Sequence, residues 1–187
     1  MEKFDRKKLE YAVQLIIEAI GEDPEREGLR DTPRRVAAMY EEMFSAIDKD
    51  VEDELNTVFH EHYDDVVIVK DIPFYSMCEH HLVPFFGHAH IAYKPRNGKV
   101  TGLSKLARLV DTAAKRPQLQ ERMTYMIVEA IMERLEAEGA LVMIEAEHLC
   151  MAMRGIKKPG TKTVTVAAKG VFATDNSRRN ELLAMMR

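Results

Sequence analysis

Apolar positions recur along the chain with two different periods, and the change of period divides helical from extended segments. Leu9, Val13, Ile16, Ile17 and Ile20 fall on one face of a first helix, and Gly21 is its natural stop. The polar stretch 22–31, with Pro24 and Gly28, predicts a loop. Thr32 and Pro33 suit the N-cap and first turn of a second helix, whose apolar stripe is Val36, Met39, Tyr40, Met43, Phe44 and Ile47. These helices read as an N-terminal appendage over residues 1–54, with the charged segment 48–54 leading into a main domain over residues 55–187.

The β-branched run 66–69 predicts a strand, and 85–93 a second. Along the second, Gly87, Ala89, Ile91 and Tyr93 share one face, and Phe86, His88, His90 and Ala92 the other. A turn follows at 94–98. Ser104 can cap a helix carrying Leu106, Leu109, Val110 and Ala113, which Arg116 and Pro117 break. A longer helix turns Leu119, Met123, Met126, Ile127, Ala130 and Ile131 inward and ends at Gly139. Strands at 141–149 and 162–168 and a helix at 177–186 complete the pattern. Strand pairs separated by a helical pair predict an α+β domain with a four-stranded antiparallel sheet. Such a sheet has two open edges, which favours pairing with another chain.

Composition narrows the function classes. The 187 residues are 46% apolar and 31% charged, enough for a core and a solvated surface. The formal net charge of -4 argues against nucleic-acid binding by bulk electrostatics. No apolar run approaches the roughly 20 residues of a membrane span. Met1 to Arg6 lead into no continuous apolar stretch, so a secretion signal is not expected and a cytoplasmic protein is. Two cysteines are too few for a disulfide scaffold, which favours a metal-binding or catalytic role.

Both cysteines stand close to histidines. Cys78 and His81, three apart, can present a thiolate and an imidazole to one zinc ion, leaving His80 free. On a strand, His148 and Cys150 would emerge on the same face as Val142, Ile144 and Ala146. Cys78, His81 and Cys150 together would leave zinc's fourth position open, as in a catalytic site, with His80 and His148 beside it as acid and base. Ser104, Lys105 and Arg108 gather cations at a helix start, where backbone N–H groups also favour anions. Arg154 follows Cys150 by four residues, and Arg35 is a further candidate. Gln120 and Glu121 set an amide beside a carboxylate that can accept from the donor edge of guanine. Each piece also has an ordinary reading: a buried cysteine, a satisfied core histidine, a solvated surface charge, an unremarkable first helical turn.

Five motifs add a resemblance. They are Asp31-Thr32-Pro33-Arg34-Arg35-Val36-Ala37, Cys78-Glu79-His80-His81, Gly102-Leu103-Ser104-Lys105-Leu106-Ala107-Arg108, Arg116-Pro117-Gln118-Leu119-Gln120-Glu121-Arg122 and His148-Leu149-Cys150-Met151-Ala152-Met153-Arg154-Gly155. In this order, and spread over nearly the whole chain, they resemble the GTP cyclohydrolase I family, the zinc enzymes that open the pterin and folate route. The resemblance implies Cys78, His81 and Cys150 as zinc ligands and His80 and His148 as the histidines that move protons. It implies Gln120 and Glu121 as the guanine-reading pair. Ser104, Lys105, Arg108 and Arg154 would surround the ribose and triphosphate, with Arg35 contributed by a neighbouring subunit. Ala38 stands where some members carry a lysine, so one phosphate contact would be absent or supplied by Arg34.

The implied reaction is hydrolytic opening of the guanine imidazole ring of GTP, with formate release and rearrangement to 7,8-dihydroneopterin triphosphate, and no redox cofactor. The implied fold is the tunnelling fold, with sheets of several subunits joined in a barrel and toroidal decamers whose sites lie between subunits. Two other readings fit parts of the pattern. A nitrile reductase of the same fold would need a nucleophilic cysteine and would consume NADPH. A zinc-stabilised binding module would prefer four protein ligands and would bind metal without turnover.

Overall fold

The computed structural model describes residues 4–187. Met1, Glu2 and Lys3, part of the polar N-terminal run, lie outside the described residues. The first helices are α1 (Arg6–Ala19) and α2 (Thr32–Met43). Asp5 caps α1 by accepting from the Lys8 N–H at 2.9 Å. Asp31, not Thr32, is the N-cap of α2, with Pro33 in its first turn. The two helices pack on each other, but their stripes are only partly covered. Val13 and Ile17 are buried, whereas Ile16 and Ile20 stay 59% and 71% exposed. Arg116 ties this region to the rest through the Ala46 and Lys49 carbonyls at 2.6 and 2.8 Å. The segment read as a charged lead contains a 3₁₀ helix at Val51–Leu55, and Leu55 enters the main core.

Two sheets follow. The small one pairs β1 (Val58–His60) with β4 (Lys99–Thr101). The large one is formed by β2 (Val67–Cys78), β3 (Pro84–Lys94), β5 (Pro117–Gln118), β6 (Gly139–His148) and β7 (Lys162–Gly170), in the order β5-β2-β3-β6-β7. The expected four antiparallel strands are therefore present, but the short β5 adds a parallel pair at Met77–Pro117 and Cys78–Gln118. It arises where Arg116 and Pro117 break the preceding helix.

The first strand of the sheet is much longer than the run 66–69 suggests. Its pairing with β3 shifts between Val69 and Ile72, and Asp71 takes a φ of 56°. This bulge lets a polar Lys70-Asp71 pair interrupt the β-branched pattern without ending the strand. Beyond it, Ile72, Phe74 and Cys78 face the core while Pro73 and Tyr75 face outward. Pro73 is tolerated because β5 pairs with β2 only at the strand's far end.

Helices α3 (Leu103–Ala114) and α4 (Gln120–Leu135) cover one face of the sheet. Gly102, not Ser104, is the N-cap of α3. Glu136, at φ 50°, ends α4, while Gly139 opens β6. Leu106, Leu109, Val110, Met123, Ile127 and Ile131 meet Phe74, Phe85, Ala89, Ile91, Val142 and Ile144 in the main core. After β7 come α6 (Val171–Thr174) and α7 (Asn176–Met186), which cover only part of the opposite face through Phe172, Leu182 and Met186. Among the described residues no helix is long and apolar enough to cross a membrane.

His90 is buried on that second face, and its Nδ1 accepts from the Asp71 N–H at 3.3 Å. Burial holds its pKa below the ordinary value; Asp71 and Glu145 oppose this, while Lys70 and His88 add to it. The unfolded chain therefore binds this proton more readily than the folded one. The stability linked to His90 is fully present above about 6.5, the unfolded value, and is lost as pH falls through the lower folded value. Thermal unfolding should shift downward as pH drops below that point, with a shallower fall in His90→Gln.

Candidate metal centre

Cys78 is the last residue of β2, and the chain turns sharply after it. The Cys78 carbonyl accepts from the N–H groups of His81 at 3.3 Å and Leu82 at 2.9 Å, while the Cys78 N–H donates to the Val83 carbonyl at 2.9 Å. Leu82 sits at φ 49°, a left-handed conformation unusual for a branched residue. The turn brings His81 back over its strand end, with Nδ1 3.8 Å from Cys78 Sγ.

The third group arrives differently from the sequence expectation. β6 ends at His148, and Cys150 lies in a one-turn helix, α5 (Leu149–Ala152). The period-two argument for His148 and Cys150 on one strand face therefore fails, because extended backbone stops two residues earlier. Cys150 nevertheless reaches the site. Cys78 Sγ, Cys150 Sγ and a His81 ring nitrogen all lie within 4.8 Å of one another. Both cysteines are free thiols.

This donor set fits zinc. Two thiolates and an imidazole are its common soft ligands, and tetrahedral bonds of ordinary length place sulfur and nitrogen roughly 3.6 Å apart. The observed 3.8 Å is close to that spacing. Burial, and then the neighbouring Cys78, push the Cys150 thiol up. A divalent cation reverses that preference, because the thiolate is the ligand form.

His148 sits beside this cluster and is held on two sides. Its ring lies parallel to Phe85 at 4.6 Å, and its Nε2 is 2.7 Å from Gln120 Oε1. Burial draws its pKa below the ordinary range, and the Glu121 carboxylate opposes this. Glu121 is exposed in the first turn of α4. Gln120, by contrast, is only 1% exposed. Its amide nitrogen faces the Ile144 and Thr163 carbonyls at 3.0 Å each and Thr165 Oγ1 at 3.1 Å. Both amide hydrogens are engaged inside the chain, so the expected guanine-reading pair divides: the Glu121 side chain faces outward and that of Gln120 does not.

His80 is exposed, with its ring edge-on to His81 at 6.2 Å. At the Cys78–His81 turn lies a clamp that spacing did not reveal. Glu79 accepts from both terminal nitrogens of Arg122 at 2.5 and 3.0 Å, tying the turn after Cys78 to the first turn of α4. Arg122 holds the Glu79 carboxyl below its usual range. Phe85 likewise entered the sequence reading only as the first residue of a strand. The sequence signal for the clamp is a carboxylate and a guanidinium in two separate motifs, Glu79 in Cys78–His81 and Arg122 in Arg116–Arg122.

The cationic residues fall in separate places. Arg154 donates to the Cys150 carbonyl at 3.1 Å, beside the cluster. Ser104, Lys105 and Arg108 occupy the first turns of α3, and Lys105 Nζ donates to Asn56 Oδ1 at 2.8 Å. The opposite end of α3 meets the metal side of the sheet, where Ser76 Oγ donates to the Ala114 carbonyl at 2.7 Å. Ten residues of helix, about 15 Å, separate Ser104 from Ala114. Arg35 pairs with Asp31 at 3.4 Å on the exposed side of α2. One chain thus joins the metal ligands, His148 and Arg154, but leaves the α3 cations and Arg35 on other elements.

Residues 9–187 match the GTP cyclohydrolase I family. The chain is 62% identical over 180 residues to GTP cyclohydrolase 1 of Geobacillus kaustophilus, covering 96% of each chain. It is 61% identical over 182 residues to GTP cyclohydrolase 1 of Carboxydothermus hydrogenoformans, covering 97% of this chain and 95% of that one. GTP cyclohydrolase 1 of Bacillus cytotoxicus is 60% identical over 187 residues, covering 100% of this chain and 99% of that one.

Proposed function

The chain belongs to the GTP cyclohydrolase I family, and from that premise we propose how its residues divide the work. It is a hydrolase acting on the cyclic amidine bond of GTP, in the first step of tetrahydrofolate biosynthesis. Cys78, His81 and Cys150 hold a zinc ion. The observation that carries this assignment is the meeting of these three ligand atoms within 4.8 Å from two distant segments. When bound, zinc supplies a Lewis acid that makes hydroxide available near neutral pH.

The chain's own groups do the rest. His148, drawn toward its neutral form by burial, takes and returns a proton as the imidazole ring opens. His80, exposed beside His81, is its partner on the solvent side. The Glu121 carboxylate accepts from the ring N–H and exocyclic amine of guanine. Arg154 faces the ribose and triphosphate from the same chain.

The remaining phosphate ligands, Ser104, Lys105, Arg108 and Arg35, act from a second copy. Their separation from the cluster within one chain supports this. So do the open edges of the sheet and the uncovered Ile16 and Ile20 of α1. We extend the proposal to a homo-oligomer whose sheets join in a barrel, a decamer by family resemblance, working in the cytoplasm. Residues 1–54 form its helical appendage and 55–187 its catalytic domain.

The test is zinc-loaded protein incubated with GTP. Formate and a fluorescent oxidised pterin should appear in equal amounts, without NADPH. Zinc binding with no formate would overturn the assignment in favour of a binding module.

A further inference from the structure

Gln120 is a buried amide whose every polar contact points one way. Its Nε2 faces two backbone carbonyls, Ile144 and Thr163, at 3.0 Å each. Carbonyl oxygens only accept, so nitrogen must occupy that position, and a flipped amide would set oxygen against oxygen. The neighbouring hydroxyls complete the polarity. Thr124 Oγ1 donates to the Gln120 carbonyl at 2.7 Å, so the 2.7 Å contact between the two threonines is a donation from Thr165 to Thr124. Thr165 Oγ1 is then left to accept from Gln120 Nε2 at 3.1 Å.

With Nε2 fixed, Oε1 is the end that meets His148, and an amide oxygen can only accept. The 2.7 Å contact is therefore a donation from His148 Nε2. We propose that Gln120 is a positioning residue that fixes His148 as its Nε2–H tautomer and leaves Nδ1 as the nitrogen that exchanges protons with the substrate. This rests on the reading of His148 as the proton-moving group. The anchor itself is rigid, since Gln120 begins α4 and its acceptors lie on β6 and β7. Phe85, stacked on the ring at 4.6 Å, restrains the imidazole's tilt while Gln120 restrains its rotation.

The test reads the tautomer directly. Nitrogen NMR of the resting, ¹⁵N-histidine-labelled protein at mildly alkaline pH should show His148 with a protonated Nε2 and a bare Nδ1. A protonated Nδ1 would overturn the proposal, whether or not the protein turns over GTP. Failure of GTP turnover with the expected tautomer would instead strike the functional reading. In Gln120→Met, which keeps the side-chain length, zinc content and KM should hold while kcat falls roughly 10²-fold, the scale of a misplaced catalytic group. The His148 nitrogens should then report a mixture of tautomers. Unchanged kcat in Gln120→Met would also overturn the assignment. Thr165→Val, which removes one of three acceptors, should give the same change of spectrum in smaller measure.

Discussion

Cys150→Ser is expected to release the metal and abolish turnover together. Serine keeps the size of the side chain but replaces a soft thiolate with a hydroxyl that stays protonated at neutral pH, so the cage loses one of its three ligands. The remaining pair, Cys78 and His81, belongs to a single turn. Two ligands from one turn cannot hold zinc against dilution as three from two segments do. Zinc per chain should fall from about one to near zero on dialysis, and formate release should fall with it. Fold loss is not expected, because Cys150 lies at the edge of the main core rather than within it. Elemental analysis and the GTP assay on the same sample check both halves. A serine variant that keeps a full complement of zinc would displace Cys150 from the site.

His148→Ala should separate the two properties. His148 is not among the three clustered ligands, so zinc should stay. The variant loses the group proposed to move the proton, and general acid–base catalysis typically contributes 10²–10⁴-fold, so kcat should fall by roughly that factor. KM should change little, since in the proposed arrangement Glu121 and the cations, not His148, hold the substrate. Gln120 Oε1 would lose the donor it meets at 2.7 Å. An unsatisfied buried acceptor costs about 1–3 kcal/mol, so the unfolding midpoint should drop by several degrees as well. Single-turnover kinetics and melting curves read these effects separately. A variant with normal kcat would remove His148 from the chemistry.

The two variants also mark how far sequence reasoning reached. The meeting of Cys78, His81 and Cys150 was legible because each cysteine of this chain lies within three residues of a histidine. Cys150 reaches the cluster from a helical turn, not from the strand that its spacing from His148 predicts, since β6 stops at His148. The α+β order and the two faces of β3 were legible because Gly87, Ala89, Ile91 and Tyr93 alternate with a face that carries His88 and His90. Nothing local announced that β2 would run through Lys70, Asp71 and Pro73. A bulge has no compositional signature, and pairing with β3 outweighs propensity there. The role of Gln120 was hidden for a related reason. Adjacent residues at a helix start point in different directions, so Gln120 and Glu121 read as a pair although one is buried and the other exposed. The same limit applied to the Glu79–Arg122 clamp, which joins residues 43 apart.

The central claim is a zinc ion held by two sulfurs and one imidazole with room for one further light ligand. Zinc-edge X-ray absorption on the metal-loaded protein measures that coordination directly. The account predicts two sulfur scatterers at about 2.3 Å and two nitrogen or oxygen scatterers at about 2.0–2.1 Å, of which only one is an imidazole. A second imidazole closing the shell, or a shell with fewer than two sulfurs, would contradict it.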